Sequence, residues 1–98
     1  MTTEIKKNAQ ETTIEIAGRL DTSTAPVLEK VIIEGIVNTK NLVLDLKGME
    51  YISSAGLRII LGTQKKMMLF GSMKLINVPE AIMEIFEMTG FADILTIE

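Results

Sequence analysis

Strand-like and helix-like segments alternate along this chain, and few folds accommodate that order. Thr12–Ala17 alternates polar and apolar residues and is rich in Thr and Ile, as a half-buried strand is. Asn41–Leu46, with the sequence NLVLDL, is almost continuously apolar, which predicts a strand covered on both faces. Helical spacing of apolar residues predicts one helix that ends near Asn38 and another over Ser54–Phe70. Strands that alternate with helices imply right-handed crossovers and a largely parallel sheet.

The remaining segments complete one unit. Thr3–Lys7 is predicted to pair with the first of these strands as an antiparallel hairpin, and Ser72–Val78 to add a further strand. Pro79 opens a third helix, and Asp93–Ile97 is predicted to be a short last strand. Since 98 residues suit a single domain, we predict one α/β sandwich over residues 1–98. Its sheet would be mixed but mostly parallel, with four or five strands and about three helices.

The same patterns place individual side chains. The second helix is predicted to bury a mainly apolar face made of Leu57, Ile60, Leu61, Gln64 and Met68. Tyr51 and Ile52, just before that helix, are predicted to lie beneath it, and Asp45 is assigned a structural role. Functional sites in such sheets favour the loops after the carboxyl ends of strands. Two loops qualify here, Gly18–Thr24 and Lys47–Ala55.

Composition excludes several kinds of chemistry. The chain has no Cys and no His, which rules out Ser-His-Asp and Cys-His catalysis and zinc sites built on those residues. An enzyme made from it would depend on carboxylates, Lys or Ser alone. The net charge is −3 and only two arginines occur, so nothing electrostatic favours binding to nucleic acid or an anionic membrane.

The sequence also predicts where the protein works. No apolar run approaches the roughly 20 residues that a membrane helix needs. The first residues, MTTEIKK, lack the apolar core of a signal peptide. The absence of Cys fits a cytoplasmic protein. We therefore expect a cytoplasmic protein that neither inserts into a membrane nor binds nucleic acid.

Two adjacent serines, Ser53 and Ser54, precede the second helix. Ser is among the preferred N-cap residues, so one of the two is predicted to accept a hydrogen bond from a free amide of the first turn. Ser54 is not a self-sufficient nucleophile, because no His exists to activate it and no Gly stands two residues before it. It can still be the substrate of another enzyme. Asp21 is likewise predicted to cap the first helix.

Three segments together resemble the STAS domain of bacterial anti-sigma factor antagonists. The central one, NLVLDLKGMEYISSAGLRIIL (41–61), has that family's apolar strand ending in Asp-Leu, a short spacer, and a Ser-Ser-Ala-Gly-Leu helix start. GRLDTSTAP (18–26) is similar to the family's Gly-x-Leu-Asp element, and MTGFADILTI (88–97) to its C-terminal segment. The order of elements agrees throughout, so the resemblance covers essentially the whole chain and implies the STAS fold.

The resemblance implies a regulatory role for the serine pair. In the antagonists, the serine two residues before the Gly-Leu pair accepts a phosphate, and the matching residue is Ser54. Many antagonists carry Asp immediately before that serine, where this chain has Ser53. The implied contact surface for a partner combines one loop with the start of the second helix: Asp21, Ser53, Ser54, Ala55, Gly56 and Arg58.

The implied function is that of a non-catalytic binding protein that needs no cofactor or metal. Unphosphorylated, it would bind an anti-sigma factor of the serine-kinase type and free a sigma factor. Phosphorylation of Ser54 would end the binding, and a serine phosphatase would restore it. Two alternatives stay open: a stand-alone STAS subunit of a membrane lipid-transport or sensory assembly, and a small carboxylate- or nucleotide-dependent hydrolase. No phosphate-binding Gly-rich loop ending in Lys-Ser/Thr supports the hydrolase.

Overall fold

A mixed five-stranded sheet and three α-helices make up the computed structural model, which describes residues 1–98. The strands are β1 (Thr2–Lys7), β2 (Glu11–Leu20), β3 (Asn41–Asp45), β4 (Met49–Ile52) and β5 (Ser72–Ile76). The helices are α1 (Ala25–Gly35), α2 (Ser54–Met67) and α3 (Glu80–Met88). The predicted fold class is therefore confirmed. None of the helices combines the length and the apolar character needed to cross a lipid bilayer.

The sheet has β3 at its centre. Its order is β1-β2-β3-β5, in which β1 is antiparallel to β2 and the pairs β2–β3 and β3–β5 are parallel. Leu42, Val43 and Leu44 are each exposed by 4% or less, so the apolar run that predicted a central strand is buried as expected. Leu28 and Ile32 of α1, with Ile60 of α2, belong to the same core.

Strand β2 is longer than predicted and makes β4 possible. Gly18, which was expected to end the strand, has a φ of +90° and sits where the pairing of β2 with β4 shifts register. Gly adopts positive φ without a Cβ clash, so it forms a bulge rather than a break. Beyond the bulge, β2 continues to Leu20 and pairs in parallel with β4, within the segment Lys47–Ala55 that was predicted to be a loop.

The predicted last strand, Asp93–Ile97, is wrong. Gly90, just after α3, has a φ of +80°, and the chain then enters a 3₁₀ turn at Phe91–Asp93. Only Ile97 reaches the sheet, in a single bridge to Leu75 of β5. The segment contains Ile and Thr residues that suit a strand, but the turn leaves too few residues free to form a ladder.

Helices α1 and α2 both end earlier than their apolar patterns suggest. After Met67, the chain tightens into turns in which the Phe70 amide donates to the Met67 carbonyl. Met68 is 66% exposed, so its predicted burial is wrong, and Met67 is buried in its place. Gln64 is buried as predicted, because its Oε1 accepts a hydrogen bond from the Thr96 amide at 3.1 Å.

Candidate functional site

The two loops predicted to carry a site meet at one end of the sheet. In the β2–β4 pair, Arg19 lies opposite Tyr51 and Leu20 opposite Ile52. The Ser53 amide then donates to the Leu20 carbonyl at 2.8 Å. This bond ties the start of α2 to the end of β2, so the loop that follows Leu20 lies beside the serine pair.

The helix start gives the two serines different tasks. Ser53 is the N-cap of α2, with extended backbone angles, and its Oγ accepts a hydrogen bond from the Gly56 amide at 3.3 Å. Ser54 is the first residue of the helix and is exposed. The prediction that one serine caps the helix is confirmed, and the cap is Ser53. The hydroxyl of Ser54 is left free of that bond.

Gly56 sets how closely α2 approaches the sheet. It is buried, and a Cβ on it would lie 2.6 Å from Cγ of Leu20 and 3.1 Å from Cγ1 of Ile52. Contacts that close would force the helix or the strands to move. Gly56 therefore holds the first turn of α2 against the ends of β2 and β4, which fixes the position of Ser54. That Gly56 also contacts a partner remains a prediction.

Asp21 organises the turn that leads into α1. Its Oδ1 accepts hydrogen bonds from the Ser23 hydroxyl at 2.7 Å, the Ser23 amide at 3.0 Å and the Thr24 amide at 3.1 Å. Its own amide donates to Oγ1 of Thr24 at 2.8 Å. The N-cap of α1 is Thr24, so the prediction that Asp21 caps the helix is wrong. Asp21 instead caps the turn directly before the helix. The Ser23 hydroxyl, followed by the Thr24 amide, lowers the pKa of Asp21 below its usual value of 3.8.

The lowered pKa of Asp21 can be tested by removing the hydroxyl of Ser23. A folded-state pKa below the unfolded one gives stability that is present above about pH 4 and is lost as the pH falls through the folded pKa. Ser23→Ala removes the donor with the largest effect, so we expect the pKa of Asp21 to rise towards 3.8. NMR titration of the Asp21 carboxyl carbon measures this, with Thr22→Ala as the control. Equal pKa values in Ser23→Ala and the wild type would show that the hydroxyl does not stabilise the carboxylate.

Three exposed side chains lie on the elements that meet at this end of the sheet. Arg58 follows Ser54 by one helical turn and is exposed on α2. The guanidinium of Arg19 lies over the ring of Tyr51, 4.2 Å from its centroid. Tyr51 is 38% exposed, so its predicted burial is wrong, whereas Ile52 is buried as predicted. Successive residues of a strand point to opposite faces, and Ile52 packs under Gly56 of α2 while Tyr51 lies on the other face beneath Arg19.

Sequence reasoning missed Arg19 and Tyr51 as neighbours at this end of the sheet. The signal that would have found them is the pairing of β2 with β4, which places the two residues opposite each other. The predicted residues Asp21, Ser53 and Ser54 lie on the elements that meet here, and Ala55 is half-buried next to them. Their role in binding a partner stays a prediction.

Comparison with known proteins identifies the class. The family model of the STAS domain matches residues 1–98, so the chain belongs to the STAS domain family, as the three motifs predicted. It is 34% identical over 95 residues to the anti-sigma-B factor antagonist of Bacillus subtilis (strain 168), covering 96% of this chain and 87% of that protein. It is 29% identical over 84 residues to an anti-sigma-B factor antagonist of Staphylococcus aureus, covering 84% and 78%.

Comparison of structures points to the same class of protein. The crystal structure of an anti-sigma factor antagonist from Mycobacterium paratuberculosis superposes with a TM-score of 0.88 and 25% sequence identity. The match covers 98% of this chain and 83% of that one. The arrangement of sheet and helices described above is therefore that of solved STAS structures.

Proposed function

We propose that this protein is an anti-sigma factor antagonist that works in the cytoplasm and binds a serine-kinase anti-sigma factor while Ser54 is unmodified. Binding would release the sigma factor that the partner holds. Membership of the STAS family and the similarity to proteins named anti-sigma-B factor antagonists support this proposal. The observation that carries it is the exposed hydroxyl of Ser54, which stands at the start of α2 while Ser53 makes the cap.

The proposed modification is a phosphoryl transfer catalysed by the partner. Oγ of Ser54 attacks the γ-phosphorus of ATP bound to the kinase and forms the new P–O bond. The bond from that phosphorus to the bridging oxygen breaks, and ADP leaves with the electron pair. The hydroxyl proton passes to a base of the kinase, as it does to a catalytic Asp in protein kinases. The STAS domain supplies only the acceptor oxygen.

A phosphate at this position changes the surface and leaves the fold intact. It adds a charge of about −1.5 to −2 at the positive end of α2, where an anion is stabilised by the helix dipole. The cap at Ser53 is a separate side chain and keeps its bond to Gly56. Phosphorylation therefore ends binding by placing a bulky anion in the contact surface. A serine phosphatase restores binding by transferring the phosphoryl group to water.

Release of a sigma factor tests the function. Complexes of sigma factor and anti-sigma kinase, made with the kinases encoded in the same genome, are mixed with the purified protein and separated by size-exclusion chromatography. Without ATP, we expect the sigma factor to be released from one of these complexes. With ATP, release should decline as the protein is phosphorylated. If no complex releases its sigma factor, the proposal is wrong.

A further inference from the structure

Helices α1 and α2 lie side by side and leave a groove between them. Its volume is about 560 Å³, and six of its lining residues are Ala25, Ile33 and Ile36 on one side and Ala55, Ile59 and Gly62 on the other. One end of the groove begins at Ala55, the residue after Ser54. The groove therefore continues from the surface that holds the serine.

Nothing in the packing of this chain requires a glycine at position 62. It lies in the middle of α2, where Gly is a poor helix former, and it is exposed. A Cβ placed on it would have no atom within 4 Å. Gly56, on the same helix, shows the contrast, since Leu20 and Ile52 exclude any side chain there. The missing side chain at Gly62 leaves room for a group from outside the chain to approach the helix backbone.

The walls of the groove carry unused apolar and charged groups. Ile33 of α1 is 52% exposed although it lines the groove. On the α2 side, Arg58 and Lys66 line the same groove about two helical turns apart. The ion pairs of the chain lie elsewhere, at Lys6–Glu15 and Lys74–Glu98, so neither cation has a carboxylate partner. Glu29 is the one carboxylate that lines the groove; it lies on the α1 side and forms no ion pair with either cation. The edge along α2 is therefore complementary to acidic groups of a partner.

We propose that this groove binds an amphipathic helix of the anti-sigma factor, a step that rests on the proposed function. The stretch from Ala55 to Lys66 is about 16 Å long, which matches three turns of a docked helix. Apolar side chains at successive turns enter between Ile33 and Gly62, as in other helix-in-groove complexes. Acidic side chains along one edge face Arg58 and Lys66. The groove supplies affinity, and Ser54 at its mouth supplies the switch.

Four variants test the groove without touching Ser54. Gly62→Leu fills it, and Ile33→Glu places a charge on its opposite wall. Val27→Glu is the matched control, because Val27 is 55% exposed on α1 outside the groove. Gly62→Ala tests the glycine itself and should raise the melting temperature, since Ala is the better helix former. Affinity for the anti-sigma factor that responds to the wild type is measured by calorimetry without ATP.

We expect the groove variants and the control variant to give different results. Gly62→Leu and Ile33→Glu should raise the Kd at least tenfold, while Val27→Glu stays within twofold of the wild type. The melting temperature of Gly62→Leu should not fall below that of the wild type, since Leu is also a better helix former than Gly. If the wild type binds and both groove variants bind equally well, the groove is not the docking site. If the wild type binds no anti-sigma factor, the proposed function and this inference both fail. If the wild type is a dimer that Gly62→Leu dissociates, a second copy occupies the groove and the inference is wrong.

Discussion

Ser54→Asp should abolish binding to the anti-sigma factor, with a Kd at least a hundredfold above that of the wild type. Aspartate brings part of the charge of a phosphate to the exposed first residue of α2. The helix dipole stabilises that charge, so the free energy of unfolding should stay within about 0.5 kcal/mol of the wild-type value. Calorimetric titration and urea unfolding of the same preparation separate the two effects.

Ser54→Ala is the matched control for the switch. It should bind as the wild type does and should resist inactivation by the kinase and ATP. Because Ser53 makes the cap, the loss of about 0.5–2 kcal/mol expected for removing a cap belongs to Ser53→Ala and not to Ser54→Ala. If Ser54→Asp and Ser54→Ala both bind like the wild type, Ser54 does not control binding.

Leu57→Asp should destabilise the fold by several kcal/mol. Leu57 is 7% exposed and belongs to the core that α2 shares with the sheet. A carboxylate buried there without a partner costs far more than a surface substitution, even after the structure relaxes. The free energy of unfolding in urea measures the loss.

Leu69→Asp controls for the chemical change at Leu57. Leu69 is 81% exposed just beyond the end of α2, so the same substitution there should alter the free energy of unfolding by no more than about 0.5 kcal/mol. If Leu57→Asp unfolds at the same urea concentration as Leu69→Asp, the buried face of α2 has been assigned wrongly.

Most of the fold follows from local patterns in the sequence. The apolar run at Asn41–Leu46 and the helical spacing in α1 and α2 predicted a parallel sheet covered by helices. Strand β4 was not predicted, because four residues among turn residues are too few to show an alternating pattern. Its existence depends on the bulge at Gly18, and that is a property of pairing rather than of the local sequence.

The site was predictable in outline and not in detail. Ser53 and Ser54 are equally good caps, so the sequence did not decide between them. The choice is made by tertiary contacts, since Gly56 packs on Leu20 and the Ser53 amide bonds to the Leu20 carbonyl. The stacking of Arg19 on Tyr51 was missed for the same reason, because it requires β2 and β4 to be neighbours.

The most direct test of the central claim is to locate the phosphate. The protein is incubated with ATP and the anti-sigma kinase that it binds, and the peptide containing Ser53 and Ser54 is fragmented in a mass spectrometer. We expect one phosphate, on Ser54, and none on this peptide in Ser54→Ala. A peptide that stays unmodified while the kinase is active, or a phosphate on Ser53, would contradict the account.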